Sequence, residues 1–239
     1  RERLAQDEIE ASLVGPSAPQ ALRLDEGRWR FRHTDAWREG TFLVQDLTAQ
    51  RVAPLLAPQP GERILDLCAA PGGKTTHLAE LSGDKAQIVA CDLKMNRLRK
   101  IEQNLERLGL SSVETRRHDA RYAAQDFAEE PPFDALLLDA PCSNTGVLRR
   151  RSEARWRFDV SSQRRLRKIQ DELLRAALPL VRGGGRLVYS LCSIEVDEGR
   201  DAIAALRAEH PGLELEHEEL WFPTPGGGDG GYAALLRVP

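Results

Sequence analysis

The sequence has no run of about eighteen apolar residues, and it does not open with a basic segment followed by an apolar leader. Neither a membrane-spanning helix nor a signal peptide is therefore expected. The four cysteines include no CxxC pair, which argues against the common zinc-site and disulfide-framework patterns. Free thiols favour a reducing, cytoplasmic setting. The length of 239 residues suits one good-sized domain with an appendage.

The most informative stretch runs from Ile64 to Lys74 and reads ILDLCAAPGGK. Its first four residues form an apolar run broken by one acid, which is typical of a buried parallel strand. A glycine turn follows, and a helix is predicted from Lys74 onward. The turn lacks both the phosphate-loop spacing GxxxxGK(S/T) and the dinucleotide spacing GxGxxG. Its small residues would still let a nucleotide-like ligand approach the backbone, so the stretch predicts a nucleoside-type site.

Alternating strand and helix patterns follow, which indicate a parallel sheet with helices on both faces. Before the first core strand, the pattern predicts a small hairpin around residues 26–27 and a helix over 47–56. Strands are predicted at 63–67, 88–92, 113–117, 135–139, 186–191, 213–217 and 232–238, and further helices near 74–82, 95–108, 161–180 and 197–209. We expect an N-terminal appendage over 1–45 and a catalytic domain over 46–239.

Three aspartates lie where predicted strands end. Asp92 ends the second strand and could accept hydrogen bonds from a ribose diol, although capping the next helix is an alternative role. Asp119 follows the third strand, where it could meet an adenine amino group, and Asp139 closes the fourth. Because parallel strands end at the same edge of a sheet, these carboxylates predict a nucleoside-shaped cleft there.

The cysteines divide by their surroundings. Cys91 lies inside a predicted strand, where a free cysteine is a small buried hydrophobe. Cys142 and Cys192 lie in polar loops at the same sheet edge as the glycine turn, so we expect reactive thiols there, activated by a nearby cation. Cys68 belongs to the turn itself and is expected to line the cofactor site without reacting.

The net charge of −3 would argue against a nucleic-acid partner, but residues 149–168 hold nine basic residues and two acids, a local charge of nine minus two, +7. Most such runs are solvated helix faces. Here Trp156 and Phe158 interleave with the arginines, and cations beside stacking rings suit single-stranded nucleic acid. We therefore favour a nucleic-acid contact.

Taken together, GTFLVQDLTAQ (40–50), ILDLCAAPGGKT (64–75), DAPCSNTG (139–146) and YSLCSIEVDEG (189–199) form a specific pattern. The sequence resembles the RNA (cytosine-5) methyltransferases of the Nop/Sun family, most closely those that act on ribosomal RNA. The resemblance covers roughly residue 40 to the C-terminus. It implies a Rossmann-like fold dependent on S-adenosylmethionine, with a seven-stranded, mainly parallel sheet.

The resemblance also implies roles for individual residues. Cys192 would be the nucleophile, Cys142 would help to release the product, and Asp139 and Lys74 would stabilise the adduct. Asp92, Asp119 and Asp139 would contact ribose, adenine and the reacting end of the cofactor. The turn that would hold the methionine part of the cofactor consists of Cys68, Ala69, Ala70, Pro71, Gly72, Gly73 and Lys74. The implied partner is RNA with an unstacked cytosine, no membrane is implied, and we expect a monomer.

Two positions depart from the family pattern: Leu191 stands where Thr is usual, and Asn144 where Gly is usual. Residues before about 20 do not match the helical RNA-binding domain of many relatives, so we expect 1–45 to be a remnant of that subdomain. Alternatives are a transfer-RNA enzyme of the same family and a non-catalytic RNA-binding scaffold. A DNA cytosine-5 enzyme, in which Cys142 would attack, normally carries a Glu-Asn-Val motif that is absent here.

Overall fold

The computed structural model describes residues 2–15, 18–24 and 31–239. The strands are β1 (Ala11–Leu13), β2 (Leu22–Leu24), β3 (Arg63–Leu67), β4 (Gln87–Asp92), β5 (Val113–Arg117), β6 (Phe133–Asp139), β7 (Val181–Leu191), β8 (Glu214–Trp221) and β9 (Gly231–Arg237). Strands β1 and β2 pair with each other, and the other seven form one sheet.

The α-helices are α1 (Glu2–Gln6), α2 (Asp35–Arg38), α3 (Leu47–Gln50), α4 (Val52–Leu56), α5 (Gly73–Leu81), α6 (Met95–Leu108), α7 (Ala123–Asp126), α8 (Ala154–Arg157), α9 (Val160–Ala177) and α10 (Arg200–Glu209). Single 3-10 turns lie at Phe31–His33, Ala120–Tyr122, Thr145–Val147 and Leu178–Leu180. No helix in the described part of the chain combines the length and the apolar character needed to cross a membrane.

The large sheet has the strand order β5-β4-β3-β6-β7-β9-β8. Neighbours from β5 to β7 pair in parallel, whereas β9 is antiparallel to both β7 and β8. Only β9 therefore runs against the others. The predicted seven-stranded, mainly parallel α/β fold is confirmed.

Alternate residues of the central strands pack on opposite faces of the sheet, as the two-residue period of a strand requires. Leu65 and Leu67 of β3 pack on the face that α9 and α10 cover. Ile64 of the same strand packs on the other face, against α4 and α5. Helix α6 covers a third apolar cluster beside Ala90 of β4. Burial on both faces explains why these strands read as nearly continuous apolar runs.

Several predicted boundaries differ from the structure. The helix predicted over 47–56 is two short helices that meet at Arg51, and α10 begins at Arg200 rather than near 197. The predicted hairpin turn at residues 26–27 lies outside the described residues. The arms expected around it do not form a described pair, because β2 pairs with β1 and Phe31 lies in a 3-10 turn.

The segment just before the core sheet packs on α6. The guanidinium of Arg107 donates to the carbonyls of Trp37 and Phe42 and stacks 3.7 Å from the Trp37 ring centroid. A Cβ at Gly40 would lie 1.8 Å from the Arg107 carbonyl oxygen, so only glycine fits this approach. The proposed boundary between an appendage over 1–45 and the domain that follows stays a prediction.

The topology gathers the motif residues at one edge. From β3 the chain runs outward through β4 to β5, then returns to place β6 on the other side of β3. In open α/β sheets, ligands bind at the carboxyl ends of strands where the order reverses in this way. The residues that follow β3, β4, β6 and β7 therefore converge on the same crevice.

Candidate active site

The glycine turn after β3 is held close to the sheet edge. Its first backbone contact is the Ala69 amide, which donates to the Cys91 carbonyl at 2.8 Å. Cys68 and Gly72 both have positive φ angles, of 63° and 99°. A Cβ at Gly72 would lie 3.2 Å from Ile101 of α6. The turn then leads directly into α5, so its backbone and the first helical turn form one wall of the crevice.

Asp66 lies beneath this turn and is fully buried. Thr75 of α5 donates to its Oδ2 at 2.6 Å, whereas its Oδ1 is buried with no hydrogen-bond partner among the described residues. Burial outweighs the Thr75 hydrogen bond and raises the pKa of Asp66 to about 7. In the sequence, Asp66 is recognisable only as the acid that interrupts an apolar strand. Nothing in that pattern indicates the unpartnered oxygen or the raised pKa.

Asp92 is buried and hydrogen-bonded within the chain. Its carboxylate accepts from the Ala70 amide at 3.3 Å and from the Lys94 amide at 3.1 Å, and it pairs with Arg97 at 3.3 Å. The N-cap residue of α6 is Lys94, so the alternative role of Asp92 as that cap is wrong. Asp92 instead joins the end of β4 to the glycine turn.

Asp119 caps the 3-10 turn after β5 and faces Arg121. The Arg121 side chain donates to it at 2.6 Å and 3.0 Å, and the Arg121 backbone amide donates at 3.2 Å. The side-chain hydrogen bond from Arg121 is the main reason that the pKa of Asp119 is lowered. The carboxylate is therefore held ionised near the crevice.

Lys74, Asp139 and Ser190 form a hydrogen-bonded group at the centre of the edge. The Lys74 ammonium donates to Asp139 Oδ2 at 2.7 Å, and Ser190 Oγ donates to Asp139 Oδ1 at 2.6 Å. Burial disfavours the charge on Lys74, but the attraction to Asp139 and the hydrogen bond with it oppose this effect, and the pKa of Lys74 is raised. The group joins α5, β6 and β7 and keeps a cation in the pocket.

The loops that carry the two cysteines are bonded to each other. The Gly146 amide donates to the Cys192 carbonyl at 3.1 Å, and the Ile194 amide donates to Thr145 Oγ1 at 3.2 Å. Gly146 also lies against the C-terminal loop, where a Cβ would come within 2.3 Å of the Gly230 carbonyl oxygen. The loop that carries Cys142 is therefore held against the loop that carries Cys192 at one edge of the sheet.

The surroundings of the two thiols raise the pKa of each. Burial raises the pKa of Cys192, Asp139 adds to the shift, and the cations Lys74 and Arg151 only partly offset it. Burial likewise raises the pKa of Cys142. In both thiols these effects favour the protonated form. Burial and the carboxylates oppose the nearby cation, so the thiolate expected from the sequence stays a prediction.

The structure explains one departure from the family pattern and accommodates the other. Asn144 has a φ of 62°, and its side-chain amide donates to the Cys142 carbonyl at 2.8 Å. Asparagine is one of the few residues that adopt this left-handed conformation readily, so it can replace glycine here. Leu191 is buried in the core beside β9 and pairs with Tyr232. Its side chain therefore contributes to packing.

Two of the arginines predicted to contact nucleic acid pair with carboxylates of the protein. Arg150 pairs with Asp46 at 2.6 Å and with Asp229 at 3.0 Å, and Arg149 pairs with Asp229 at 3.4 Å. Asp46 Oδ1 also accepts from the Asp229 amide at 3.0 Å. This cluster closes a small cavity whose lining includes Asp46, Thr48, Lys74, Asp139, Cys192 and Asp229.

The rest of the basic segment faces solvent. Trp156 is 85% exposed, and Phe158 and Val160 are also exposed. Arg167 contacts Asp171 and the Asp197 carbonyl. The basic residues of this segment that are exposed and make no ion pair within the described residues are Arg151, Arg155, Arg157, Arg164, Arg165 and Lys168. A cationic surface with one prominent ring therefore remains beside the crevice.

Comparison with known proteins places this geometry in a family. Residues 53–229 match the family model described as 16S rRNA methyltransferase RsmB/F. The match covers most of the chain and includes the glycine turn and both cysteine loops. The chain belongs to the RsmB/F family. The resemblance inferred from the motifs is thereby confirmed.

Individual proteins that are similar to this RsmB/F chain agree with the family assignment. Ribosomal RNA small subunit methyltransferase B of Proteus mirabilis is 41% identical over 219 residues, which is 92% of this chain and 51% of the relative. The crystal structure of PH0851 has a TM-score of 0.92 at 34% identity, covering 98% of this chain and 55% of that one. NSun6 from Pyrococcus horikoshii, solved with SFG, has a TM-score of 0.74 at 32% identity, covering 86% and 55%. The chain thus spans about half the length of these relatives.

Asp66 yields a prediction about stability against pH. Its folded-state pKa of about 7 lies above the ordinary aspartate value, so the folded protein binds the extra proton between about pH 4 and pH 7. Stability from this group is therefore full below that window and falls as pH rises through it. Asp66→Asn removes the titration. We expect its unfolding free energy, relative to wild type, to rise by up to about 4 kcal/mol from pH 4 to pH 8.

Urea unfolding at several pH values measures this difference. Asp201→Asn is the matched control, because Asp201 is exposed in the first turn of α10. Its difference from wild type should stay constant with pH. A constant difference for Asp66→Asn as well would show that Asp66 is ionised in the folded protein across the whole range.

Proposed function

We propose that this chain transfers a methyl group from S-adenosylmethionine to C5 of a cytosine in RNA, through a covalent bond between Cys192 and C6 of the base. The observation that carries the proposal is that Cys192 lines one cavity with Lys74 and Asp139, while hydrogen bonds hold the Cys142 loop against the Cys192 loop. Two thiols, a cation and a carboxylate brought close together are the groups that this chemistry requires.

The residues present fit the proposed cofactor. S-adenosylmethionine, when bound, supplies an electrophilic methyl group on a sulfonium. The small residues of the turn leave backbone accessible at the crevice, and the unpartnered Oδ1 of Asp66 lies beneath them. Asp92 and Asp119 would accept hydrogen bonds from the nucleoside part, in agreement with their places at the ends of β4 and β5.

The target base must be activated, because C5 of cytosine is a poor nucleophile. Cys192 Sγ would lose its proton to solvent and bond to C6, and the electron pair of the C5–C6 double bond would move towards C5. C5 would then take the methyl group from the sulfonium, leaving a neutral thioether. Loss of the C5 proton to solvent would restore the double bond as the S–C6 bond breaks, and the expelled thiolate would regain a proton. The base has to be unstacked to reach the thiol in this recessed site.

Lys74 and Asp139 would stabilise the charge that forms on the base. The Lys74 ammonium stays protonated through its contact with Asp139, so it can offset negative charge on the adduct. The carboxylate of Asp139 can accept from the exocyclic amine of cytosine. Ser190 keeps that carboxylate oriented. Cys142, in the adjoining loop, would assist the steps that break the adduct.

The exposed basic surface would hold the RNA around the target. Arg155 and Arg157 flank Trp156 on α8, and the exposed indole offers a face on which a base can stack. Arg149 and Arg150 would contribute less, since the protein's own carboxylates already bind them. We propose ribosomal RNA over transfer RNA because the family and the Proteus mirabilis relative are named for ribosomal RNA. The cytoplasm is the proposed site of action.

Single substitutions of the two cysteines test the mechanism. Cys192→Ala cannot form the bond to C6, so it should neither methylate a 16S rRNA transcript nor cross-link to it. Cys142→Ala can still attack and transfer methyl, so it should accumulate a protein–RNA adduct that survives denaturing electrophoresis. The double variant should lose that adduct. Under multiple-turnover conditions, sequencing for 5-methylcytosine should show product with wild type and with neither variant.

The alternative mechanisms predict different patterns of protein–RNA adduct on the denaturing gel. A DNA-type mechanism predicts an adduct with Cys192→Ala and none with Cys142→Ala. Two structural thiols predict no adduct in either variant and lower stability in both. Cys91→Ala is the control for losing a thiol, because Cys91 is buried within β4. A non-catalytic scaffold predicts that even wild type leaves the cytosines unmodified.

The salt dependence of RNA binding tests the basic surface. Replacing Arg155 and Arg157 with Ala removes two cations that make no ion pair among the described residues. Each phosphate of single-stranded RNA that the protein no longer neutralises should reduce the slope of log affinity against log salt by about 0.7. The double variant should therefore have a slope smaller by up to about 1.4.

Arg175→Ala is the matched control, because Arg175 is an exposed arginine near the other end of α9 that already pairs with Glu209 at 2.6 Å. Its slope should equal that of wild type. If wild type, the Arg155/Arg157 double variant and Arg175→Ala all have the same slope, the segment over 149–168 is a solvated face and does not contact RNA phosphates.

A further inference from the structure

Glu198 is a buried carboxylate that the proposed chemistry does not use. It lies in the motif YSLCSIEVDEG (189–199), in the segment after Cys192, and its exposed surface is 0%. Among the described residues, only Ser143 donates to its carboxylate: Ser143 Oγ donates to Oε2 at 2.7 Å, and the Ser143 amide donates to Oε1 and Oε2 at 3.1 Å and 3.3 Å. Within the described residues it has no ion-pair partner.

Its partner directly follows one of the two cysteines. Ser143 comes after Cys142, and Ser143 Oγ lies 3.0 Å from the hydroxyl of Ser193, which comes after Cys192. Thr145 Oγ1 lies 3.2 Å from the same Ser193 hydroxyl. A continuous set of hydrogen bonds thus joins Glu198 to the residue that follows each thiol.

The backbone of Glu198 is itself held by hydrogen bonds. Its backbone carbonyl accepts from the Tyr189 hydroxyl at 3.0 Å, and Tyr189 is a fully buried residue of β7. Its backbone amide donates to the Asp197 side chain at 3.1 Å. The carboxylate therefore holds Ser143 at a defined place relative to β7, the strand that Cys192 directly follows.

Burying this carboxyl group is costly, because in the interior it loses hydration that its hydrogen bonds only partly restore. A neutral side chain could fill the same space, so stability alone does not account for glutamate here. What it provides is two acceptor oxygens that fix both the backbone and the side chain of one loop residue.

We propose that Glu198 is a positioning residue that holds the Cys142 loop against Cys192 and thereby governs breakdown of the covalent adduct. The inference rests on the proposed function. Cys192 directly follows β7, whose last residue, Leu191, pairs with Tyr232 of β9, although its carbonyl also accepts from the Gly146 amide. Cys142 lies farther from its strand, β6, and depends more on its loop. Releasing Ser143 should therefore displace Cys142 while leaving Cys192 able to attack.

The test compares Glu198→Ala with wild type on an unmodified 16S rRNA transcript. We expect methyl transfer in the first turnover to be retained and multiple turnover to fall roughly tenfold or more, the scale of one buried hydrogen bond. The denaturation-resistant adduct should accumulate, as in Cys142→Ala. In Glu198→Ala combined with Cys192→Ala the adduct should disappear.

Glu198→Gln separates position from charge. Glutamine keeps an acceptor for the Ser143 amide and offers an amide donor to its hydroxyl, so turnover should return towards wild type with little adduct. Glu195→Gln is the matched control, because Glu195 lies in the same loop and its carboxylate makes no hydrogen bond or ion pair within the described residues. It should behave as wild type.

Other results would overturn the inference. A folded Glu198→Ala that binds S-adenosylmethionine but forms neither product nor adduct would place Glu198 in the attack step. Equal defects in Glu198→Gln and Glu198→Ala would assign the effect to charge. If Glu198→Ala does not fold, Ser143→Ala replaces it: a smaller rise in adduct supports the inference, and no rise contradicts it. Failure of wild type to make 5-methylcytosine, or of Cys142→Ala to trap adduct, would instead contradict the proposed function.

Discussion

The ion pair between Lys74 and Asp139 is the contact on which the rest of the site depends. The two atoms lie 2.7 Å apart, and the pair joins the first turn of α5 to the end of β6, with Ser190 adding the end of β7. Both side chains are mostly buried, so removing either partner would leave a charge without compensation, which is far more destabilising than losing a surface pair. The same contact closes the cofactor turn onto the strand ends and keeps a cation beside Cys192.

Much of this arrangement could be predicted from the sequence, because it follows from strand periodicity. Apolar runs ending in Asp92 and Asp139 identify parallel strands, and parallel strands place their carboxyl ends together. The glycine turn is recognisable for a similar reason, since small residues and a following helix are a local pattern. Cys142 and Cys192 could be brought to one edge by the same logic. Family membership agrees with these motifs, and residues 53–229 match the family model.

What sequence could not supply are the contacts between side chains that are distant in the chain. Asp46 bonds to the Asp229 amide across nearly the whole chain, and both bind Arg150. Counting charges over 149–168 could not show this, because a local count gives the sign of a surface and not its partners. Glu198 was missed for the same reason: its acceptors meet Ser143, 55 residues away in the chain. The orphan oxygen of Asp66 likewise exists only once Thr75 and the turn have closed over it.

The raised pKa of Cys192 changes how the site must work. A cysteine beside a lysine suggests a standing thiolate, but burial and Asp139 outweigh Lys74 and Arg151 here. RNA bound as proposed would bring further negative charge, which would disfavour a thiolate still more. In the proposed mechanism, reactivity would depend on placing C6 within reach of a thiol that loses its proton to solvent as the bond forms, while the Lys74 ammonium offsets the negative charge that moves onto the base. Alignment contributes more to such a step than the population of free thiolate. In that mechanism the hydrogen bonds between the two cysteine loops would have a chemical role, because they fix where the two thiols lie. This alignment would matter less if the pKa of the Cys192 thiol were low.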